Sequence, residues 1–328
     1  MNSMYYNRKI CNSLSNLIED KGELRWLFDF VKNHNELDFL IVKNKSKECI
    51  SIYRGLTKII SISQKNNTTI FIDSTNTYKK LVPSLYGFKN INENFQNEIV
   101  NLITQIDSNI NFNRYYKNKK EGYFQNELSR KFGIRGNTDT DFVIIDKEAV
   151  IGHSSTIEKN NLFKNIKKKY KCLQRDISIL DAKRYGKDLE KKTIGDELDF
   201  LALDKDGNIL LIEYKHGSGN TKGIYLGPLQ IGMYYDIFTN FPKIELETAV
   251  FEMLEQKQKI GLINPKWKKP NSIKEIIPVL IVSEFNYKSS AKTKFDEILQ
   301  FSRKQLGASF LNNLQTFNYT VKNGLSNW

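Results

Sequence analysis

The sequence is poor in the residues that build disulfide frameworks and zinc sites. Its three cysteines, Cys11, Cys49 and Cys172, lie far apart among 328 residues, with neither a CxxC pair nor a Cys/His cluster. This spacing excludes a disulfide scaffold and a structural zinc site, and it suits a reducing compartment. The chain also lacks an apolar signal core at its N-terminus and any apolar run approaching the ~20 residues of a membrane span. We therefore expect a cytoplasmic protein with no membrane partner.

Acidic residues are outnumbered by basic ones. Lys and Arg total 50 against 37 Asp and Glu, which gives a formal net charge of +13 and a pI near 9.3. Such an excess favours a polyanionic partner, with nucleic acid ahead of an anionic membrane surface. A compositional bias towards Lys and Asn is the alternative explanation. The 40% of hydrophobic residues and 12% of aromatic residues are typical of a folded protein.

The first third of the chain has the pattern of a separate α+β module. Apolar residues recur at helical spacing between residues 14 and 37, and three strand-like runs follow: LDFLIV, CISIYRGLTKIISIS and TTIFID. A helix is predicted around residues 94–106, and the polar stretch NFNRYYKNKKEG then predicts a boundary. We therefore assign residues 1–115 to an N-terminal module for recognition or partner binding, and residues 116–328 to a second domain.

The second domain alternates between helical and strand patterns. Helices are predicted in YFQNELSRKF, PLQIGMYYDIF, ETAVFEMLEQKQK and TKFDEILQFSRKQL, and strands in DFVIIDKEAVIGH and IIPVLIVSEF. Between them lies ELDFLALDKDGNILLIEYKHG, which we interpret as a hairpin. Both faces of its strands are apolar for much of their length, as is typical of strands covered by helices on both sides.

The hairpin places charged residues at the end of two apolar strands. A three-residue loop at 205–207, with glycine at its last position, sets the pairing register. In that register Asp199 faces Glu213, Glu197 faces Lys215, and all four share one face. A two-residue loop would instead scatter the carboxylates to opposite faces.

These residue types suit metal-dependent chemistry. Two facing carboxylates repel each other and are costly to bury, and a divalent cation removes both problems. The carboxylates of Asp199 and Glu213, with the backbone carbonyl of Tyr214, are oxygen ligands that suit Mg²⁺ or Mn²⁺. Beside the ion, Lys215 could hold or deprotonate an attacking water and balance charge on a pentacovalent phosphate. The alternative, a structural salt-bridge cluster, is a poor device inside an apolar hairpin.

The same residues resemble the PD-(D/E)XK nuclease superfamily, the restriction-endonuclease-like phosphodiesterases. The match consists of Asp199, thirteen intervening residues, and Glu213-Tyr214-Lys215 at the end of an apolar strand. The proline of the family name is absent, because Leu198 precedes Asp199. The resemblance covers residues 171–306 and implies an α/β fold with a mixed central sheet flanked by helices, and Mg²⁺-dependent cleavage of DNA.

Many members of that family carry a Gln and an aromatic residue in the following helix. Gln230 and Tyr234 match this feature, four residues apart on one helical face. Carried over by position, Asp199 and Glu213 would be metal ligands, Lys215 the catalytic lysine, and Gln230 a residue that positions the site or the substrate backbone. The alternative is that Gln230 and Tyr234 only pack within the core.

The resemblance also implies an acidic residue on a helix before the hairpin, which many members of the family carry. Glu127 in FQNELSRKF and Glu190 in GKDLEKK both qualify, and we favour Glu127 because its helical pattern is the better one. Glu197 is either the ion-pair partner of Lys215 or a residue near the metal.

Two basic segments are candidates for contacts with nucleic acid. The run KNIKKKYK includes Lys167, Lys168, Lys169 and Lys171, and it predicts either phosphate contacts or an ordinary solvated surface. In NPKWKKP, Trp267 beside Lys268 suits stacking on a base or the anchoring of a loop.

We therefore expect a metal-dependent nuclease, with DNA as the favoured substrate, in defence, restriction or repair. An RNA-directed nuclease and a non-catalytic nucleic-acid-binding protein that retains the fold are the alternatives. The sequence contains no GxxxxGK[ST] loop, so ATP-driven loading would require a partner protein. A homodimer is a further option.

Overall fold

The structure is a computed structural model that describes residues 4–43, 47–66, 69–118, 120–180, 195, 197–217, 221–306 and 309–328. The described chain is mixed α/β and divides into two compact units. The five-stranded unit contains residues 7–143 and 249–268, and the six-stranded unit contains the described residues of 1–6, 144–248 and 269–328.

The helices and strands are numbered in chain order. They are β1 (Met4–Tyr5), α1 (Asn12–Asn16), α2 (Arg25–Asn33), β2 (Asp38–Lys43), β3 (Glu48–Arg54), β4 (Thr57–Gln64), β5 (Thr69–Asp73), α3 (Asn76–Lys79), β6 (Gly87–Asn90), α4 (Glu93–Ser108), α5 (Ile110–Asn118), α6 (Lys120–Lys131), β7 (Phe142–Ala149), β8 (Gly152–His153), α7 (Thr156–Leu180), β9 (Leu198–Asp204), β10 (Ile209–His216), α8 (Thr221–Tyr225), α9 (Gly227–Thr239), α10 (Lys243–Ile260), β11 (Ile276–Ser283), α11 (Ala291–Leu306), β12 (Gln315–Thr320) and β13 (Gly324–Asn327). Short 3₁₀ turns lie at Pro83–Leu85 and Ser309–Asn313.

The five-stranded unit is built on an antiparallel meander in the order β2-β3-β4-β5-β6. The predicted meander is confirmed, but the run CISIYRGLTKIISIS forms two strands because the chain turns at Gly55, whose φ is +64°. One face of the sheet presents isoleucines such as Ile52 and Ile60 to a core that includes Phe28 of α2 and Ile99 of α4. Alternate residues point to one face of a strand, so this apolar alternation positions the sheet against its helices.

The predicted polar boundary at NFNRYYKNKKEG is helical in the structure. Its residues lie in α5 and at the start of α6, with residue 119 outside the described ranges. Tyr116 is buried, its hydroxyl accepts a hydrogen bond from the Asn126 amide at 3.1 Å, and the Arg54 guanidinium lies 4.8 Å from its ring centroid. These contacts hold the stretch within the five-stranded unit. The units therefore differ from the predicted division after residue 115.

The six-stranded unit is built on a mixed sheet in the order β13-β12-β11-β10-β9-β7. Strand β10 pairs in parallel with β11, which pairs in parallel with β12, whereas the pairs β9/β10 and β12/β13 are antiparallel. Because β10 lies inside the sheet, its near-continuous run of apolar residues is expected. The hairpin of β12 and β13 had no counterpart among the sequence-based predictions.

In the part of the chain that the structure describes, no helix is both long and apolar enough to cross a membrane.

Candidate active site

The turn between β9 and β10 sets the geometry of the site. The Asp204 backbone N–H donates to the Asn208 carbonyl at 3.0 Å, and the Asp204 carboxylate accepts the N–H groups of Asp206 at 3.0 Å and Asn208 at 2.7 Å. Gly207 adopts a φ of +95°, a conformation that a side chain disfavours. The predicted loop at 205–207 is therefore confirmed.

The register that follows from this turn is also confirmed. Four pairs of Cα partners join the strands: Leu203 with Ile209, Ala202 with Leu210, Leu201 with Leu211, and Phe200 with Ile212. The ladder ends at Phe200, one residue after Asp199. The facing backbone positions predicted for Asp199 and Glu213 are therefore not part of the ladder.

Asp199 contacts β10 through its side chain instead. Its Oδ2 accepts a hydrogen bond from the Tyr214 backbone N–H at 2.8 Å. That nitrogen belongs to the peptide bond that follows Glu213, so the Asp199 carboxylate lies against the backbone of the Glu213–Tyr214 pair. Beyond the last backbone pair of the ladder, the Asp199 side chain supplies the hydrogen bond between the two strands. This bond holds a half-buried carboxylate at the end of the hairpin.

Glu213 and Lys215 form an ion pair at the same end of β10. Glu213 is 1% exposed, and the Lys215 ammonium donates to its Oε1. Residues two apart on a strand share a face, which brings the two side chains together. A buried carboxylate needs such a partner to offset its desolvation.

The predicted pairing of Lys215 with Glu197 is wrong. Glu197 is exposed and lies before the first residue of β9, beyond the end of the ladder, so no strand pairing holds it opposite Lys215. Its contribution is a backbone carbonyl, which accepts a hydrogen bond from the Tyr234 hydroxyl at 2.6 Å.

Helix α9 fixes the start of β9 through this contact. Tyr234 is buried, and its hydroxyl also accepts a hydrogen bond from Gln230 Nε2 at 3.2 Å. The shared helical face predicted for Gln230 and Tyr234 is confirmed. The Gln230–Tyr234 pair therefore ties α9 to the segment two residues before Asp199.

Two glycines in TKGIYLG were not singled out from the sequence. A Cβ at Gly227 would lie 3.2 Å from Cδ2 of Leu280, the β11 partner of Glu213, so the absence of a side chain lets α9 begin close to the sheet. A Cβ at Gly223 would lie 3.4 Å from Cδ of Lys215. The two glycines belong to different helices, α8 and α9, so helical spacing gave no signal for them.

Neither candidate for the additional carboxylate is among the described residues of the six-stranded unit. Glu127 lies in α6 of the five-stranded unit, where burial raises the pKa of its carboxyl and Arg135 and Arg130 oppose that shift. Glu190 lies outside the described residues. Over the described ranges, no group of three or more His, Cys, Asp or Glu is placed to hold a metal. Among the described residues, the strand carboxylates at this end of the hairpin are those of Asp199 and Glu213.

The basic segments differ from each other. Lys168, Lys169 and Lys171 are exposed on α7, and Lys167 is half-buried. Trp267, in contrast, is 2% exposed, and its indole N–H donates to the Thr140 carbonyl at 3.1 Å. Its ring is not offered to a base, and it anchors the loop, which was the alternative interpretation. Lys268 next to it is exposed.

The donor set suits a hard divalent cation. Mg²⁺ is commonly held by one or two carboxylates, with waters and substrate phosphate oxygens in the remaining positions. Asp199 and Glu213 supply two carboxylates at adjacent points of one hairpin. Comparisons with protein-family models, with curated proteins and with solved structures find no match to this chain.

Proposed function

We propose that the protein is a metal-dependent nuclease that hydrolyses phosphodiester bonds, with DNA as its substrate. The observation that supports this most directly is the grouping at one end of an apolar hairpin. The Asp199 carboxylate accepts a hydrogen bond from the N–H of the peptide that follows Glu213, and the Lys215 ammonium forms an ion pair with the Glu213 carboxylate. The mixed sheet with β10 in its interior is consistent with the PD-(D/E)XK resemblance.

Each residue has a distinct role in this proposal. Asp199 and Glu213 would hold the cation. Bound Mg²⁺ or Mn²⁺ would polarise the scissile phosphate and make a coordinated water more acidic. The Lys215 ammonium donates hydrogen bonds to the attacking water and balances the negative charge that develops on the phosphate. The attacking water would pass a proton to bulk solvent as its oxygen bonds to phosphorus, and the opposite ester oxygen would leave and take up a proton from solvent.

The remaining residues position these groups. The Tyr234 hydroxyl holds the Glu197 carbonyl, and this fixes the entry into β9 just before Asp199. Gln230 orients the Tyr234 hydroxyl and is itself only half-buried, so its amide can also reach a substrate backbone. Catalytic groups need this kind of support because small displacements cost rate.

A cleavage assay tests the proposal. Purified protein is incubated with double-stranded DNA, single-stranded DNA and RNA, with Mg²⁺, Mn²⁺ or EDTA. Glu213→Gln and Lys215→Met are compared with Asp206→Asn and Lys205→Met, which make the same chemical changes at the exposed turn of the same hairpin. We expect metal-dependent cleavage of DNA that the first pair abolishes and the second pair preserves.

Two results would contradict the proposal. Cleavage that persists in EDTA would exclude a metal-dependent reaction. Cleavage that survives Glu213→Gln or Lys215→Met at the wild-type rate would exclude this site. Salt-sensitive binding without cleavage of any substrate would instead support a non-catalytic nucleic-acid-binding protein.

A further inference from the structure

Helix α7 presents a straight line of positive charge on its exposed face. Lys164, Lys168, Lys171 and Arg175 are all exposed, and their spacings of four, three and four residues place them on one side of the helix. At 1.5 Å per residue, the line is about 16 Å long. We call these four residues the basic stripe.

The opposite side of α7 is buried in the six-stranded unit. Phe163, Tyr170, Leu173 and Ile177 are each at most 4% exposed. The packing of these side chains fixes which side of the helix faces outward. The position of the basic stripe on the outside of the unit is therefore fixed by the packing of α7.

The structure separates the lysines that the sequence grouped together. Lys169 projects to another side of α7, where its ammonium pairs with the Asp236 carboxylate of α9 at 2.8 Å, and the Tyr170 hydroxyl donates to the same carboxylate at 3.0 Å. Lys167 is half-buried, with its Nζ 5.9 Å from the Phe163 ring centroid. Lys168 and Lys171 belong to the stripe.

Little negative charge accompanies the stripe. Helix α7 contains two acidic residues, Glu158 and Asp176, and helical spacing places both about 100° away from the line. Asp176 lies 3.6 Å from the Arg175 guanidinium, and both side chains are about half exposed. Exposed pairs of this kind are weak, so Arg175 can exchange this partner for a phosphate.

We infer that the basic stripe binds the phosphate backbone of a DNA duplex and holds the substrate of the proposed nuclease, an inference that rests on that proposed function. Lys and Arg contacts to phosphates release counterions and give affinity without sequence preference. Every exposed residue from 164 to 175 is Lys, Arg or Asn, so this surface has no aromatic ring on which a single strand could stack. Among the described side chains, the exposed apolar residues of α7, Ile157, Ile179 and Leu180, lie only at its two ends, whereas a membrane-surface helix carries apolar residues along the whole of one face.

The test is a binding measurement that does not depend on cleavage. A stripe variant changes Lys164, Lys168, Lys171 and Arg175 to Gln, a good helix former. A control variant changes four exposed lysines of the same unit outside α7, Lys205, Lys288, Lys304 and Lys322, to Gln. Both variants lose four positive charges. Circular dichroism checks that each retains the wild-type helix content.

Binding of a fluorescent DNA duplex is followed by anisotropy in EDTA over a range of KCl concentrations. We expect the stripe variant to bind at least about tenfold more weakly and its salt dependence, log K against log salt, to become shallower by about 3. The control variant should stay within about twofold of wild type. Replacing Lys164, Lys168 and Lys171 by Arg, which preserves the charge, should retain binding and separates loss of charge from loss of fold.

Three results would overturn the inference: equal weakening in the stripe and control variants, no weakening in the stripe variant, or stripe-dependent binding to phosphatidylserine vesicles without duplex binding. The outcome is separable from that of the proposed function. Duplex binding in EDTA reports on the stripe without any cleavage, and metal-dependent cleavage by the control variant reports on the nuclease site without any change in the stripe. If the stripe variant bound the DNA duplex with unchanged affinity and still cleaved it, the inference about the stripe would be wrong and the proposed nuclease site would be unaffected.

Discussion

Removing one partner of the Glu213–Lys215 pair should destabilise β10 far more than removing both. Loss of one partner from a buried pair costs about 3–5 kcal/mol, because the other charge remains in a poorly solvated place. Lys215→Met leaves a carboxylate that is 1% exposed, whereas the Lys215 side chain itself is 16% exposed and is partly screened by water. We therefore expect Lys215→Met to cost about 3 kcal/mol, and Glu213→Met somewhat less.

The double variant, Glu213→Met with Lys215→Met, should regain most of this loss. Well-packed apolar residues of similar volume often replace a buried ion pair without net cost, so we expect it within about 1 kcal/mol of wild type. It should nevertheless be inactive. That combination would show that the pair is needed for chemistry and that the strand does not depend on it for stability.

Amide hydrogen exchange followed by mass spectrometry measures the loss of stability of the β9–β10 hairpin separately from the rest of the chain. A loss of about 3 kcal/mol corresponds to roughly 100-fold faster exchange in peptides that span β9 and β10. Peptides from β3 and β4, in the five-stranded unit, serve as the internal control and should not change. Exchange less than tenfold faster in Lys215→Met, or a double variant as unstable as the two single changes summed, would refute the reasoning.

Three further predictions concern single positions. Gly223→Ala should keep cleavage, because its Cβ would be in ordinary contact 3.4 Å from Cδ of Lys215. Gly223→Leu should displace Lys215 and reduce the cleavage rate at least tenfold, because a misplaced catalytic group costs rate. Equal cleavage rates for the two variants would contradict this prediction. Gly207→Ala should lower the free energy of unfolding by about 1–3 kcal/mol in chemical denaturation, because φ is +95° and the new Cβ would meet the Ser272 carbonyl oxygen; an unchanged value would refute the turn assignment. Burial raises the pKa of Tyr86 to about 12, above the ordinary tyrosine value of about 10. The stability linked to this shift is complete below pH 10 and is lost as the pH rises towards 12, so Tyr86→Phe should weaken alkaline destabilisation and remove one late step from the absorbance titration at 295 nm, and a titration identical to wild type would contradict the shift.

Local chemistry accounts for the predictions that succeeded. The turn at 205–207 follows from an Asp that accepts backbone N–H groups and a Gly that accepts a positive φ, and both belong to five consecutive residues. The register follows from the turn, and the shared face of Gln230 and Tyr234 follows from helical spacing. Each of these depends on residues that are neighbours in the chain.

Long-range contacts account for the predictions that failed. The polar stretch after residue 110 has the composition of a linker, yet Tyr116 is buried and draws it into the five-stranded unit. For Trp267 the sequence left stacking on a base and the anchoring of a loop open, and its burial with a hydrogen bond to Thr140 favours the second. The composition of a segment limits which structures it can form, and packing partners that are distant in sequence decide whether it is buried or exposed.

The hairpin, its register, the clustering of Asp199, Glu213 and Lys215 at one end, and the interior position of β10 follow from period, turn chemistry and apolar content, which are local properties of the chain. The point at which the β9–β10 ladder stops follows from packing in three dimensions and could not be predicted locally. That end point lets the Asp199 side chain take the Tyr214 N–H and leaves Glu197 exposed, so that Lys215 pairs with Glu213. The tertiary structure also decided which lysines of α7 face outward, because the burial of Phe163 and Tyr170 sets the rotation of that helix.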